Sequence, residues 1–155
     1  MSVETEPESV VVPVAVRLGD DRTGFATGAA VVVIAAPDAP HEAVAGGKKL
    51  AALEELGAAG VVAWGAIRDR AEAAGYGMGV WALAETPRAS GDLLQVVEVG
   101  GIVAFGGVTV CAGDWVYADE AGLVVVPFGE HLDVLREAVE IEQSDADAVR
   151  RIRGG

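Results

Sequence analysis

The apolar run Val61-Val62-Ala63-Trp64-Gly65-Ala66-Ile67 ends abruptly in Arg68-Asp69-Arg70-Ala71-Glu72. Ligands of open sheets with parallel strands collect beyond the carboxyl ends of those strands. This charged exit is therefore the first place where chemistry is expected. Asp69 and Glu72 are three residues apart, so on a helical turn both carboxylates lie on one face, within reach of one hard divalent ion. Arg68 beside them offers a planar fork suited to a carboxylate or an enolate. A purely structural meaning competes. Asp-x-x-Glu at a helix start is close to a capping box, which satisfies orphan N–H groups with no metal present. Spacing alone leaves both readings open.

A second set, Gly46-Gly47-Lys48-Lys49-Leu50, is a glycine pair opening a helix. Backbone N–H groups at such a start attract anions, helped by the helix dipole, and two lysines add positive charge. The phosphate-loop spacing G-x-x-x-x-G-K-[ST] is absent. A glycine turn before a helix is also often no more than a turn.

Both sets need a frame, and the apolar patterning supplies one. A strand buried on both faces is expected at 29–36, around Val31-Val32-Val33-Ile34. A loop rich in Pro, Ala and Gly follows at 37–47, then a helix at 48–56 with Leu50, Leu53 and Leu56 on one stripe and Gly57 as its stop. With the strand at 61–67 this makes a strand–helix–strand unit, the mark of a parallel pair with a right-handed crossover. A short helix at 70–74 and a strand at 80–84 come next. An outer strand broken by Pro13 is expected at 10–18, and a polar loop at 19–24. After Gly91, strands at 94–99, 102–105, 108–111, 115–117 and 123–126 are separated by tight turns and predict an antiparallel meander. A helix closes the chain at 128–153. The fold class is α/β, with both parallel and antiparallel pairing.

The chain has 155 residues, 52% of them hydrophobic and 23% charged, which suits one folded domain over 10–155 behind an acidic, disordered lead-in at 1–9. Lys plus Arg number 11 against 24 Asp plus Glu, a net charge of −13. That charge disfavours direct contact with nucleic acid or an anionic membrane. A single cysteine, Cys111, excludes an intrachain disulfide and fits a reducing, cytoplasmic setting. Cys111 reads as a small buried hydrophobe on an alternating strand. His41 and His131 have no partner at zinc-ligand spacing, although His41 lies in the loop leading to Gly47. Asp114 and Asp119 belong to turns, and Trp64, Trp81 and Trp115 to packing.

Twenty residues separate Gly47 from Arg68, giving G-x20-R-D-x2-E. Further on the chain reads Gly106-Gly107-Val108-Thr109-Val110-Cys111-Ala112-Gly113-Asp114-Trp115-Val116-Tyr117-Ala118-Asp119-Glu120-Ala121-Gly122-Leu123-Val124-Val125-Val126-Pro127. The two stretches, in this order, resemble the family of regulator of ribonuclease E activity A, which includes metal-dependent 4-hydroxy-4-methyl-2-oxoglutarate aldolases. The likeness covers about residues 28–153. It implies a mixed-sheet, swivelling-type α/β/α (β/β/α) domain assembled as homotrimers or hexamers with sites between subunits. It implies Mg2+ or Mn2+ held by Asp69, with Glu72 as the acid that accompanies Gly47. Members with Asp at the position of Gly47 form the family's other version. The resemblance also implies Arg68 at the enolate oxygen of pyruvate, and the N–H groups of Gly47, Lys48, Lys49 and Leu50 at the pyruvyl carboxylate. A helical stretch usual in the family has no counterpart before Val10, and Asp145 is the nearest match to a Glu that reaches a neighbouring subunit's site.

The function expected on this likeness is a divalent-metal-dependent C–C lyase, a class II aldolase or an oxaloacetate-type decarboxylase, acting on a small 2-oxo acid. The alternatives are a divergent enzyme of the same kind with another lyase, isomerase or cyclase step, and a non-catalytic regulator that binds a ribonuclease. A retained Arg68-Asp69-x-x-Glu72 set favours the enzymes, because a pure binding module has no need of it.

Overall fold

Val31, Val32, Val33 and Ile34 are β-branched and follow one another, a pattern that suits a strand covered on both faces. In the computed structural model, which describes residues 14–15, 30–36, 41–91, 94, 99–119 and 121–154, they form such a strand. The expected lead-in at 1–9, most of the strand at 10–18, the loop at 19–24 and the middle of the strand at 94–99 lie outside the described residues. The chain divides into two units, 1–112 and 113–155.

The first unit is built on a five-stranded sheet. Its strands are β1 (Val14–Ala15), β2 (Ala30–Ala35), β3 (Ala43–Ala45), β4 (Ala58–Ile67) and β5 (Gly79–Glu85). The order is β1-β2-β4-β3, with β5 also on β4. Helix α1 (Gly47–Glu55) joins β3 to β4, and the single turn α2 (Arg70–Ala73) joins β4 to β5. β2 and β4 pair in parallel as expected, and β1 lies antiparallel to β2. One element corrects the sequence reading. Residues 43–45, expected in a loop, form β3, and Ala43 and Ala45 pair in parallel with Ala66 and Ile67 past the end of the β2 register. Three residues are too few to show a periodicity, which is why the pattern hid this strand.

The core gathers Val32, Ile34, Val44, Leu50, Val61, Ile67 and Met78. Leu50 is 0% exposed, and burying such a side chain contributes roughly 1.5–3 kcal/mol. Leu56 leaves the expected stripe. It is the C-cap residue of α1 and largely exposed, and Gly57 then turns the chain at φ 85°. A hairpin of β6 (Val103–Phe105) and β7 (Val108–Val110) completes the unit. Its turn residues Gly106 and Gly107 sit at φ 56° and 80°, the left-handed pair that a two-residue hairpin requires.

In the second unit β8 (Trp115–Ala118) and β9 (Leu123–Val126) form another antiparallel hairpin, followed by the 23-residue helix α3 (His131–Arg153). The expected meander is thus two separate two-stranded sheets among the described residues. Asp119 Oδ1 accepts the N–H groups of Ala121 and Gly122, the turn role expected of it. Asp114 Oδ1 accepts Phe128 N–H and so ties the start of β8 to the chain beyond β9. No described helix is long and apolar enough to cross a membrane.

Candidate active site

The carboxyl end of β4 is clamped from two directions. Arg68 N–H donates to Ala45 O at 3.0 Å, and Thr86 N–H donates to Ile67 O at 2.8 Å. The chain then has to leave the sheet and enter α2 within one residue. Asp69 makes that turn at φ 63°, ψ 36°, the one non-glycine residue with positive φ among those described. Aspartate tolerates this region better than most side chains, but at a cost of about 1–2 kcal/mol. The strained turn sends its carboxylate back across the sheet edge.

There the capping-box reading fails. Asp69 is the N-cap residue of α2, yet its side chain makes no bond to that helix. Its Oδ2 instead accepts Gly47 N–H at 2.9 Å, 22 residues away, and lies 3.3 Å from Arg68 Nε. Asp69 therefore caps α1, whose own N-cap residue, Gly46, has no side chain to do so. The Arg68 and Asp69 side chains keep 38% and 41% of their surface, so a ligand can reach both. The terminal nitrogens of Arg68 have no partner among the described residues.

The two glycines are what let these side chains approach. A Cβ at Gly46 would lie 2.5 Å from Arg68 Nε, and one at Gly47 would lie 2.5 Å from Glu72 Oε2. Both carboxylates thus converge on one short piece of backbone. Glu72 Oε1 accepts the Tyr76 hydroxyl at 2.9 Å, and the same hydroxyl lies 3.2 Å from Gly47 O. Withdrawal from water, then the bond and charge of Glu72, then the charges of Glu54 and Asp69 raise the Tyr76 phenol above its ordinary pKa. It is a donor at neutral pH.

The expected anion cradle is narrower than the run Gly47 to Leu50. Gly47 N–H is taken by Asp69, and Leu50 N–H donates to Gly46 O as the first bond of the helix. The Leu50 side chain is in the core. The amides of Lys48 and Lys49 remain without a partner among the described residues, as the second and third positions of a helix do unless capped. Lys48 is exposed, while Lys49 Nζ turns back onto Val44 O at 3.0 Å. A cavity of about 300 Å³ beside them is lined in part by Gly46, Lys48, Lys49, Arg68 and Ser90. Larger cavities lie against β5 and the β8–β9 hairpin, but neither is lined by Arg68, Asp69 or Glu72.

The donor set fits a hard divalent cation. Asp69 Oδ1 and Glu72 Oε2 accept no hydrogen bond from the described residues. No group of three or more His, Cys, Asp and Glu side chains converges among them. One or two carboxylates with water completing the shell is how Mg2+ is commonly held. His41 is exposed, and its carbonyl accepts the Thr86 hydroxyl. His131 stacks on Trp115 with ring centroids 4.5 Å apart. Cys111 is half-buried just past β7, less enclosed than its strand position implies. Tyr76 is the site residue that sequence reasoning missed. Its only signal was the four-residue spacing from Glu72, and Tyr76 lies in the bend beyond α2, where helical spacing does not apply.

Comparison with known proteins identifies the family to which this α/β fold belongs. Residues 18–125 match the model of the RraA-like family, Aldolase/RraA, and the chain belongs to that family. It is 48% identical over 80 residues to a protein of Alkalilimnicola ehrlichii provisionally named 4-hydroxy-4-methyl-2-oxoglutarate aldolase, a stretch covering 51% of this chain and 49% of the relative. A Halorhodospira halophila protein given the same provisional name is 44% identical over 80 residues, 51% of this chain and 48% of that protein. The chain thus spans about half the length of these relatives. Among solved structures it is similar to the Thermus RNA-processing inhibitor RraA, with TM-score 0.56 and 34% identity over 63% of this chain and 58% of that one. Streptomyces coelicolor RraAS2, at 23% identity and TM-score 0.71 over 92% and 77%, shares the fold.

Proposed function

We propose that the chain is a divalent-metal-dependent C–C lyase, an aldolase or decarboxylase, acting on a small 2-oxo acid through a pyruvate-enolate-type intermediate. The observation that carries this reading is the convergence of Arg68, Asp69 and Glu72 on Gly46–Gly47 at the start of α1. The provisional aldolase names of relatives support it. Asp69 and Glu72 would hold Mg2+ or Mn2+, which when bound supplies Lewis-acid polarisation of the 2-oxo group. The amides of Lys48 and Lys49 receive the carboxylate of the substrate at the positive end of the helix dipole. When the C–C bond breaks, negative charge collects on the 2-oxo oxygen, and the fork of Arg68 stabilises it. A cavity of about 300 Å³ is at the small end of ligand pockets, as a short 2-oxo acid requires. The test is pyruvate release from a panel of 2-oxo acids with Mg2+ or Mn2+ added, repeated with Asp69→Ala. Metal-independent release, or none from any member, removes the reading.

A second reading has its own support. The net charge of −13 and the likeness to an RNA-processing inhibitor suit a regulator whose acidic surface covers a basic segment of a ribonuclease. Salt-sensitive binding to such an enzyme that survives Asp69→Ala would favour it. In either role we take the assembly to be a homotrimer or hexamer.

A further inference from the structure

We propose that Tyr76 is the positioning residue that holds the Glu72 carboxylate over Gly47 and, through it, sets how tightly the site takes a divalent cation. The inference rests on the lyase reading above, since it concerns the same pair of carboxylates.

The geometry is more than a chance contact of residues close in sequence. The Tyr76 hydroxyl reaches Glu72 Oε1 at 2.9 Å and also Gly47 O at 3.2 Å, 29 residues away in sequence. One phenol thus spans the acid and the helix start that the acid faces. With Oε1 engaged, Oε2 is the oxygen turned to Gly47, where a Cβ would lie 2.5 Å from it. The arm that carries the phenol is itself stiff. Gly75 N–H donates to Glu72 O, Tyr76 N–H to Ala73 O, and Gly77 N–H to Glu54 Oε1 at 2.5 Å, while the Tyr76 ring packs against the core. The bonds fix the backbone that carries the phenol, and the packing of the ring opposes its rotation out of the site.

Glu72 also needs such a partner. It forms no ion pair among the described residues, and Arg68 Nε faces Asp69 instead. Among the described residues the Tyr76 hydroxyl is the one hydrogen-bond donor to the Glu72 carboxylate. Without the hydroxyl it would swing outward to water, away from Asp69. With the hydroxyl in place the two carboxylates stay together and the cation is favoured. Outer partners that orient a metal-binding carboxylate typically change affinity 10–100-fold.

The experiment is a titration of the full chain with Mn2+ alone, following free Mn2+ by electron paramagnetic resonance. Tyr76→Phe keeps the ring and should weaken Mn2+ binding about 10-fold or more, with the thermal midpoint little changed. Tyr76→Leu, which keeps apolar volume, should do the same. In a Glu72→Gln background Tyr76→Phe should add less than about twofold, because the residue it acts through has already been neutralised. Unchanged Mn2+ affinity in Tyr76→Phe overturns the proposal, and so does an equal loss in both backgrounds, which would mean that the phenol acts elsewhere. Should the wild type take no Mn2+ that Asp69→Ala abolishes, the metal-site reading itself falls and the proposal with it, an outcome marked by the wild type rather than by the variants.

Discussion

The exit of β4 and the helix α3 are both rich in charge, and they use it in opposite ways. At the exit, Asp69 bonds a residue 22 positions away and Glu72 lies against the same glycine, so charge is held by tertiary contact. On α3 the ion pairs Arg136–Asp133 and Arg150–Asp147 stay within the helix at i, i+3 spacing. Exposed pairs of that kind contribute about 0–1 kcal/mol and mainly keep a surface solvated. What separates a site from a surface here is therefore sequence distance. Charges brought together from several elements, against a backbone stripped of side chains, hold a fixed arrangement that charges spaced along one helix lack.

The largest effect that would sharpen this contrast is expected from Asp69→Ala. It should cut turnover on a 2-oxo acid at least about 10²-fold, the scale of losing a group aimed at developing charge. Loss of the cap on α1 should cost only about 1 kcal/mol in urea unfolding. A variant that loses several times that stability, from a wild type indifferent to metal, would make Asp69 a structural cap and the exit no different in kind from α3.

Next in size is an exchange of carboxylates. Gly47→Asp places a side chain where Glu72 now lies, and overpacking of this kind typically costs about 1–3 kcal/mol. Alone it should depress both activity and the thermal midpoint. Combined with Glu72→Ala, the new carboxylate occupies the vacated space, and most of the lost activity should return. A double variant no better than Gly47→Asp would show that the two positions do not share one place.

Arg68→Lys should be milder, lowering turnover about 10-fold while leaving stability within about 0.5 kcal/mol, because a point charge cannot reproduce the fork. Full turnover in the lysine variant would reduce Arg68 to an ion-pair residue like those of α3.

Much of the frame was legible in the sequence because it rests on strong local patterns. The four consecutive β-branched residues at 31–34 announce β2, and Gly106-Gly107 announces its hairpin. The strand–helix–strand unit put Arg68 and Asp69 at a strand exit, where they are. What stayed hidden depends on contacts between distant segments. β3 exists because the end of β4 offers pairing groups to Ala43 and Ala45, not because three residues have a pattern. Spacing made Asp69 a plausible cap for its own helix, whereas the left-handed turn directs it to another. Leu50 was expected to lend its amide to an anion, and the first helical bond consumes it.

The smallest effect on the folded chain is expected on α3, and it is the one that decides whether the contrast is complete. Leu132, Leu135 and Val139 are exposed and recur at a spacing that puts them on one face, and no residue of the helix is buried. Changing Leu135 and Val139 together to Ser should leave the stability of a lone chain within about 0.5 kcal/mol, as for other surface positions. If the chain assembles as a homotrimer through this face, the same double change should lower the mass seen in sedimentation towards that of one chain. The net charge of −13 opposes association, so an apolar seam is what an interface would need, and these residues supply one. Wild-type mass equal to one chain at every concentration would end the trimer and any role for Asp145 at a neighbour's site. The predictions for Asp69, Gly47 and Arg68 would stand, since every contact they use lies between Ala45 and Tyr76 of one chain.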